Sequence, residues 1–366
     1  MQPFIRRDFF QYLPYRLEAG QILYLYAFPN QKCCRRSTVN EPISISADFI
    51  DRHHRYAELI ELLRRAFAES AVTIPDRLHY DFGSTAEKLN STLLVMPAWQ
   101  NGQDLGIKLV TINPENSAQD LPAIQGSYLL MDARTGVIRA MIEGTSLTRK
   151  RTAATSALAA SYLADPAADS LLMIGTGALA PELIAAHASV RPIRRVYLWG
   201  RRPARARELA RELTNDQYEV RPVEKIDSVI REVAVISTAT LSAEPLVCGA
   251  DLQPGQHLDL VGAYKPDMRE SDDEAVRKAA IFVDTYTGAI QESGDLHIPL
   301  QKGVIQRDQV LAELSELCAG KHPGRSSAAE ITLFKSVGYA LEDLVAARYY
   351  HQKWDTLKPG EPKIGR

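Results

Sequence analysis

The chain has 366 residues, long enough for two domains of ordinary size. Charged residues make up 24% and the formal net charge is −2, a balance that gives nucleic acid or an anionic membrane no electrostatic reason to bind. No apolar run approaches the roughly 20 residues that cross a bilayer. The four cysteines (Cys33, Cys34, Cys248 and Cys318) have the spacing of neither a zinc site nor a disulfide framework, so the expected compartment is the cytoplasm and no metal is expected.

Residues 1–40 are rich in Tyr, Phe and Arg and lack a continuous apolar stretch, so they read as an atypical extension rather than a signal peptide. Asp8 and Glu18 count against a transit peptide. No methionine falls between Met1 and Met96, so a shorter form needs a non-AUG start such as Val39. From Glu41 the pattern becomes regular. Residues 42–46 alternate as a strand, and 47–70 carry Leu59, Leu62, Leu63 and Phe67 at helical spacing. Strands are expected at 92–97, 106–112, 126–132 and 137–143, the last two joined by the hairpin signal Asp132-Ala133-Arg134-Thr135-Gly136. This half reads as α+β around a largely antiparallel sheet. The Ala-rich stretch 151–164 reads as a helix leading out of it.

After Ser170 short apolar strands alternate with helices. Strands are expected at 171–174, 195–199, 219–222, 233–237, 257–261 and 281–283, the layout of a doubly wound parallel sheet. The first ends in Gly175-Thr176-Gly177, followed by the helix start Ala178-Leu179-Ala180. Gly175 suits a tight turn, Gly177 lets a pyrophosphate approach the backbone, and Ala180 lets helix and strand pack closely. The amides at the helix start then hold the phosphates. The second strand ends in Gly200-Arg201-Arg202, without the carboxylate that holds a ribose 2′-hydroxyl. Two guanidinium groups suit a 2′-phosphate, so NADP(H) is preferred and NAD(H) possible. Residues 327–354 read as one long helix returning to the first half. The expected domains are therefore 41–155 with 320–366 for substrate binding and dimerisation, and 156–319 as a Rossmann domain.

Ordered motifs run through both halves: IPDRLH (74–79), MPAW (96–99), GIKLVT (106–111), RTAATSALA (151–159), IGTGALA (174–180), LWGRR (198–202), STAT (237–240), VGAYKPDMRESD (261–272), ESGDL (292–296) and ITLFKSVGYALEDLVAA (331–347). Over residues 42–354 the chain resembles the ornithine cyclodeaminase/mu-crystallin family. The resemblance implies a homodimer acting on a small amino or imino acid. Family members include cyclodeaminases, ketimine reductases, alanine-type dehydrogenases and the hormone-binding mu-crystallin, so fold alone does not select the reaction.

Carried over position by position, the resemblance places Arg77, Lys108 and Arg151 at the substrate carboxylate or beside the cofactor. Fixing that anion orients C2 toward the nicotinamide. It also places Thr152, Thr238, Ala239, Thr240, Val261 and Ser336 at the cofactor, and Val337 near nicotinamide and substrate. One departure is informative. Cyclodeaminases of the family carry an aspartate shortly after the fifth strand's glycines, and the matching position here is Tyr264, a poor base at neutral pH. Asp267 lies three residues further on. The string GAYKPDMRE looks like the reductase-type members, so the expected reaction is NADPH-dependent reduction of Δ1-pyrroline-2-carboxylate or its six-membered homologue. Ornithine cyclodeaminase, an alanine-type or opine-like dehydrogenase and a non-catalytic NADPH-dependent binder are the alternatives. Asp295 and His297 receive no role, and His53 and His54 are expected on an exposed helix face.

Overall fold

The computed structural model describes residues 41–82, 91–119 and 121–357; the extension expected at 1–40, with Cys33 and Cys34, lies outside them. The first half contains β1 (Ile43–Ile45), α1 (Ala47–His53), α2 (Tyr56–Glu69), β2 (Leu78–Asp81), β3 (Thr92–Trp99), β4 (Asp104–Ile112), β5 (Ile124–Asp132), β6 (Ile138–Glu143) and α3 (Gly144–Leu163). Its sheet runs β1-β6-β5-β4-β3-β2, antiparallel except for the β1–β6 pair. Side chains alternate as the pleat requires. Leu94, Met96, Ala98, Lys108, Tyr128 and Leu130 are buried, while Val95, Ile107, Leu109 and Leu129 point the other way.

The second half follows with β7 (Ser170–Ile174), α4 (Ala180–Val190), β8 (Arg195–Trp199), α5 (Pro203–Leu213), β9 (Glu219–Pro222), β10 (Val235–Thr238) and β11 (His257–Leu260). Then come α6 (Asp273–Lys278), β12 (Ala280–Val283), α7 (Tyr286–Glu292), α8 (Gly294–Gln301), β13 (Val310–Glu313), α9 (Leu314–Cys318), β14 (Thr332–Lys335) and α10 (Ala340–Leu357). The eight strands are parallel in the order β13-β12-β14-β11-β10-β7-β8-β9. The winding reverses between β7 and β10, which opens a crevice at their carboxyl ends.

Three expectations need correction. The helix expected over 327–354 does not form as one piece: 332–335 are β14, Gly338 turns at φ +87°, and α10 starts at Ala340. A four-residue run buried on both faces carries no alternation, so strand and helix read alike there. As a result β14 separates β12 from β11. The helix expected over 47–70 breaks at His54, which caps α1 in an extended conformation. His54 is also buried rather than exposed, its Nδ1 2.8 Å from the Tyr350 hydroxyl. Finally, the helix expected from 151 begins a full two turns earlier, at Gly144, where the Glu143 side chain caps the amides of Thr145 and Ser146.

α3 touches α2, α4, α10, β5 and β14 and is buried nearly all round, which explains its alanines. Neighbours approach closely only where side chains are small. At its first residue the approach is closest: a Cβ on Gly144 would lie 2.4 Å from the Gly126 carbonyl carbon in β5. Gly144→Ala should therefore cost about 1–3 kcal/mol through forced backbone movement, read as a lowered denaturation midpoint.

Candidate active site

The crevice between β7 and β10 begins at Gly175. Its φ of +127° is one that side chains other than glycine's rarely adopt, and a Cβ there would also lie 2.6 Å from the Ala239 carbonyl oxygen. Gly177 differs, because a Cβ would meet nothing within 4 Å. Its exposed backbone, with that of Ala178, is open to a phosphate group. Leu179 caps α4 without a side-chain hydrogen bond; the Ala180 amide donates to the Gly177 carbonyl and Pro181 has no N–H, so the donors open to an anion are the amides of the turn before the helix, at Gly177 and Ala178. Beside it, Gly200 packs on Thr176, a Cβ there falling 2.6 Å from the Thr176 Cγ2. Arg201 and Arg202 follow, both exposed, just past the end of β8. These residues fit a dinucleotide pyrophosphate and the adenosine-side ribose.

On the other side of the crevice, the β10 end carries buried Thr238 and half-buried Ala239 and Thr240. Val261 is buried and its amide bonds to the Thr238 carbonyl at 2.9 Å. Ser336 is buried at the end of β14, its amide 3.2 Å from the Leu260 carbonyl, and Val337 follows half-buried. Thr152 is buried on α3.

Three basic residues from distant parts of the chain come together at this end. Lys108 projects from β4 into the interior, with Nζ 2.7 Å from Asp343 Oδ2 in the first turn of α10. Arg151, on α3, reaches the same carboxylate at 2.9 Å and Glu342 at 2.6 Å. All four side chains are buried. Arg77 sits where 74–77 leads into β2. It donates to the carbonyls of Val337 and Gly338 at 3.2 and 2.8 Å and lies 3.2 Å from Glu292 of α7. The turn it grips is held from beneath by Asp284, which accepts from the amides of Val337 and Gly338 at 2.7 and 2.8 Å.

This crowding sets the proton affinities. Burial, with the Arg151 charge adding to it, lowers Lys108 to about 8 against the pull of Asp343. Burial raises Glu342 to about 7 although Arg151 opposes the rise. Burial also raises Asp284. A lysine poised near neutrality in a dry site is a competent proton donor.

Of these three basic residues, Arg77 faces open space. It lines a cavity of about 420 Å³ with Met96, Gly288 and Gly338, and a second of about 870 Å³ with Leu94, Tyr264 and Glu292. Lys108 and Arg151 lie just behind that wall. Lys108 pairs with Met96 across β3 and β4, and a Cβ on Gly338 would lie 2.7 Å from the Arg151 guanidinium. Tyr264 is half-buried with the Lys265 ammonium 5.7 Å from its ring centre, and Asp267 is exposed. His297 bonds to the Ile290 carbonyl at 3.3 Å. Among the described residues no group of His, Cys, Asp and Glu is arranged to hold a metal ion, and no helix is long and apolar enough to cross a membrane.

The acids of this site escape sequence reasoning. Within the single helix expected over 327–354, Glu342 and Asp343 fall mid-helix as two ordinary acids, and only the start of α10 at Ala340 puts them in a first turn. Only the placement of Asp284 directly after an apolar strand hints at a special role.

The ornithine cyclodeaminase/mu-crystallin family profile matches residues 43–358. The chain belongs to that family. It is 37% identical to the Δ1-pyrroline-2-carboxylate reductase of Paracoccus denitrificans over 259 residues, covering 70% of this chain and 82% of the relative. With the rat ketimine reductase mu-crystallin it shares 33% identity over 325 residues, 87% of this chain and 99% of that one. Among solved structures, the Thermococcus litoralis Δ1-pyrroline-2-carboxylate reductase in complex with NADH and L-proline superposes with a TM-score of 0.81. Its identity is 34%, over 86% of this chain and 98% of that chain.

Because Asp343 bridges two buried cations, its removal leaves Lys108 without a carboxylate and Arg151 with Glu342 alone. Asp343→Ala should destabilise the fold by about 3–5 kcal/mol in denaturant titration.

Proposed function

We propose that this chain reduces a cyclic imine 2-carboxylate, Δ1-pyrroline-2-carboxylate or Δ1-piperideine-2-carboxylate, to L-proline or L-pipecolate, with NADPH as the preferred cofactor. The chain is an NAD(P)-dependent oxidoreductase of the kind that acts on C=N bonds, and the named relatives and the L-proline complex support the substrate class. The observation that carries the reading is the buried Lys108–Asp343–Arg151 cluster beside Arg77, set against the carboxyl end of a dinucleotide crevice.

The crevice glycines, the turn amides before α4 and the β10 and β11 loops are the residues that would hold the nicotinamide cofactor, which when bound supplies the hydride. Arg77, facing the cavities, binds the substrate carboxylate and so orients C2. Lys108 keeps a proton close to the imine nitrogen and, with Arg151, keeps the local field positive for the carboxylate. Asp343 stops those two cations from repelling each other apart. Tyr264 forms the pocket wall. A ring-closing deaminase would need a carboxylate base at that position, so the tyrosine favours reduction. The presence of Lys108 together with Arg77 and Arg151 favours an enzyme over a non-catalytic binder.

The arginines at 201 and 202 are the basis for preferring NADPH, their exposed guanidinium groups suiting a 2′-phosphate. A homodimer is supported by the outer face of the first sheet. Across it Leu78 pairs with Val95, Val95 with Leu109, Ile107 with Leu129 and Leu129 with Met141. Leu78, Tyr80 and Met141 are about half exposed, an apolar surface of the kind that a second subunit covers.

The decisive experiment follows NADPH absorbance on adding either imine; no oxidation with either ring size overturns the reading. Lys108→Ala should lower kcat by about 100-fold. In the unaltered enzyme kcat/KM should fall as pH rises through about 8, because the protonated lysine is the active form and is lost on the alkaline side. The double change Arg201→Ala, Arg202→Ala should weaken NADPH binding by about tenfold and leave NADH binding within twofold, as read by fluorescence titration.

A further inference from the structure

We propose that Glu270 is a positioning residue that locks the loops after β10 and β11 into one rigid floor for the nicotinamide end of the cofactor. The inference rests on the reading of residues 238–240 and 261 as cofactor-facing, given above.

Glu270 closes the string GAYKPDMRE, eight residues beyond Gly262, and is fully buried. Its carboxylate meets four donors. Oε1 accepts from the Thr240 amide and the Thr240 hydroxyl, both at 2.7 Å. Oε2 accepts from the Thr238 hydroxyl at 2.8 Å and the Gly262 amide at 2.7 Å. An ionised carboxylate has about four acceptor positions, so one side chain spends its whole capacity on the last residue of β10 and on the loops that follow β10 and β11.

The loops it joins are also in direct contact. A Cβ on Gly262 would fall 2.1 Å from the Thr240 carbonyl oxygen, and one on Gly175 would fall 2.6 Å from that of Ala239. The phosphate turn after β7, the β10 loop and the β11 loop are thus packed in series, with Glu270 pinning the last two. Its own backbone is anchored as well. Asp295 of α8 accepts from the amides of Glu270 and Ser271 at 2.7 and 3.2 Å, and Lys335 of β14 lies 3.1 Å from the same carboxylate. Asp295 and Lys335 are the charged groups that face Glu270 from the neighbouring elements, and the lysine is paired with Asp295. An apolar side chain would fill this space without the cost of burying a charge. What only a carboxylate does here is accept four hydrogen bonds from the two loops at once.

Glutamine keeps the shape but replaces one acceptor oxygen with an NH2 group, which must face either the Thr240 or the Gly262 amide. One loop is thereby released. In Glu270→Gln, the NADPH dissociation constant, from nicotinamide fluorescence, should rise by about tenfold, with kcat reduced. The KM for Δ1-pyrroline-2-carboxylate should stay within twofold, because Arg77 and Lys108 are untouched. A folded variant that binds NADPH and turns over like the unaltered enzyme overturns the proposal, as does an equal rise in both KM values, the mark of a merely structural role. Amide hydrogen exchange on the unaltered, cofactor-free protein gives a test that needs no variant. The Thr240 and Gly262 amides should exchange about 100-fold or more slowly than in an unfolded chain, and unprotected exchange at either overturns the tie. NADPH binding by the unaltered enzyme without imine turnover would count against the substrate reading alone and leave the Glu270 comparison intact.

Discussion

One buried carboxylate holds the catalytic end of this protein together. Asp343 receives Lys108 from β4 and Arg151 from α3, elements that enter the site from different directions. Two cations this close and this deep would repel each other strongly in a medium of low dielectric. With Asp343 between them and Glu342 on Arg151, they form a compact buried cluster of two cations and two acids. The same arrangement explains why Lys108 titrates near neutrality: Asp343 is shared, so it offsets only part of the burial and of the Arg151 charge.

A second set of carboxylates acts on backbone rather than on side chains. The turn between β14 and α10 hangs from Asp284 by two amides and offers its carbonyls to Arg77. A short polar chain thus links the end of the parallel sheet to the loop before β2. The β10 and β11 loops depend in the same way on Glu270. Segments beyond the ends of parallel strands have lost their ladder partners, and a site built there is only as rigid as the groups that replace them. Buried acids at those positions turn loops into fixed walls.

The division of labour follows from this geometry. The glycine turn offers backbone donors at one end of the crevice, while Arg77, with Lys108 and Arg151 behind it, places positive charge at the other. On the proposed function, the cofactor's phosphates and the substrate's carboxylate would be drawn to these different ends, and that separation would set the direction in which C2 faces the nicotinamide.

Much of the architecture is legible in the chain. Apolar alternation over 92–143, the glycine turn at 175–177 and the strand–helix rhythm after Ser170 dictate most strands of both sheets, because these are local patterns with a fixed period; β2, β13 and β14 fall outside them. The position of the arginines just past β8 and of Tyr264 after β11 is likewise readable, since the strand ends are set by the same pattern. Other features required the tertiary structure. β14 is four residues long and buried on both faces, so nothing local distinguishes it from the helix that follows, and only its pairing with β11 and β12 makes it a strand. The meeting of Lys108 and Arg151 on Asp343 spans 235 residues of sequence in the Lys108 bond alone. A carboxylate in the first turn of a helix looks the same whether it faces water or two buried cations. Its role is decided by what packs against it.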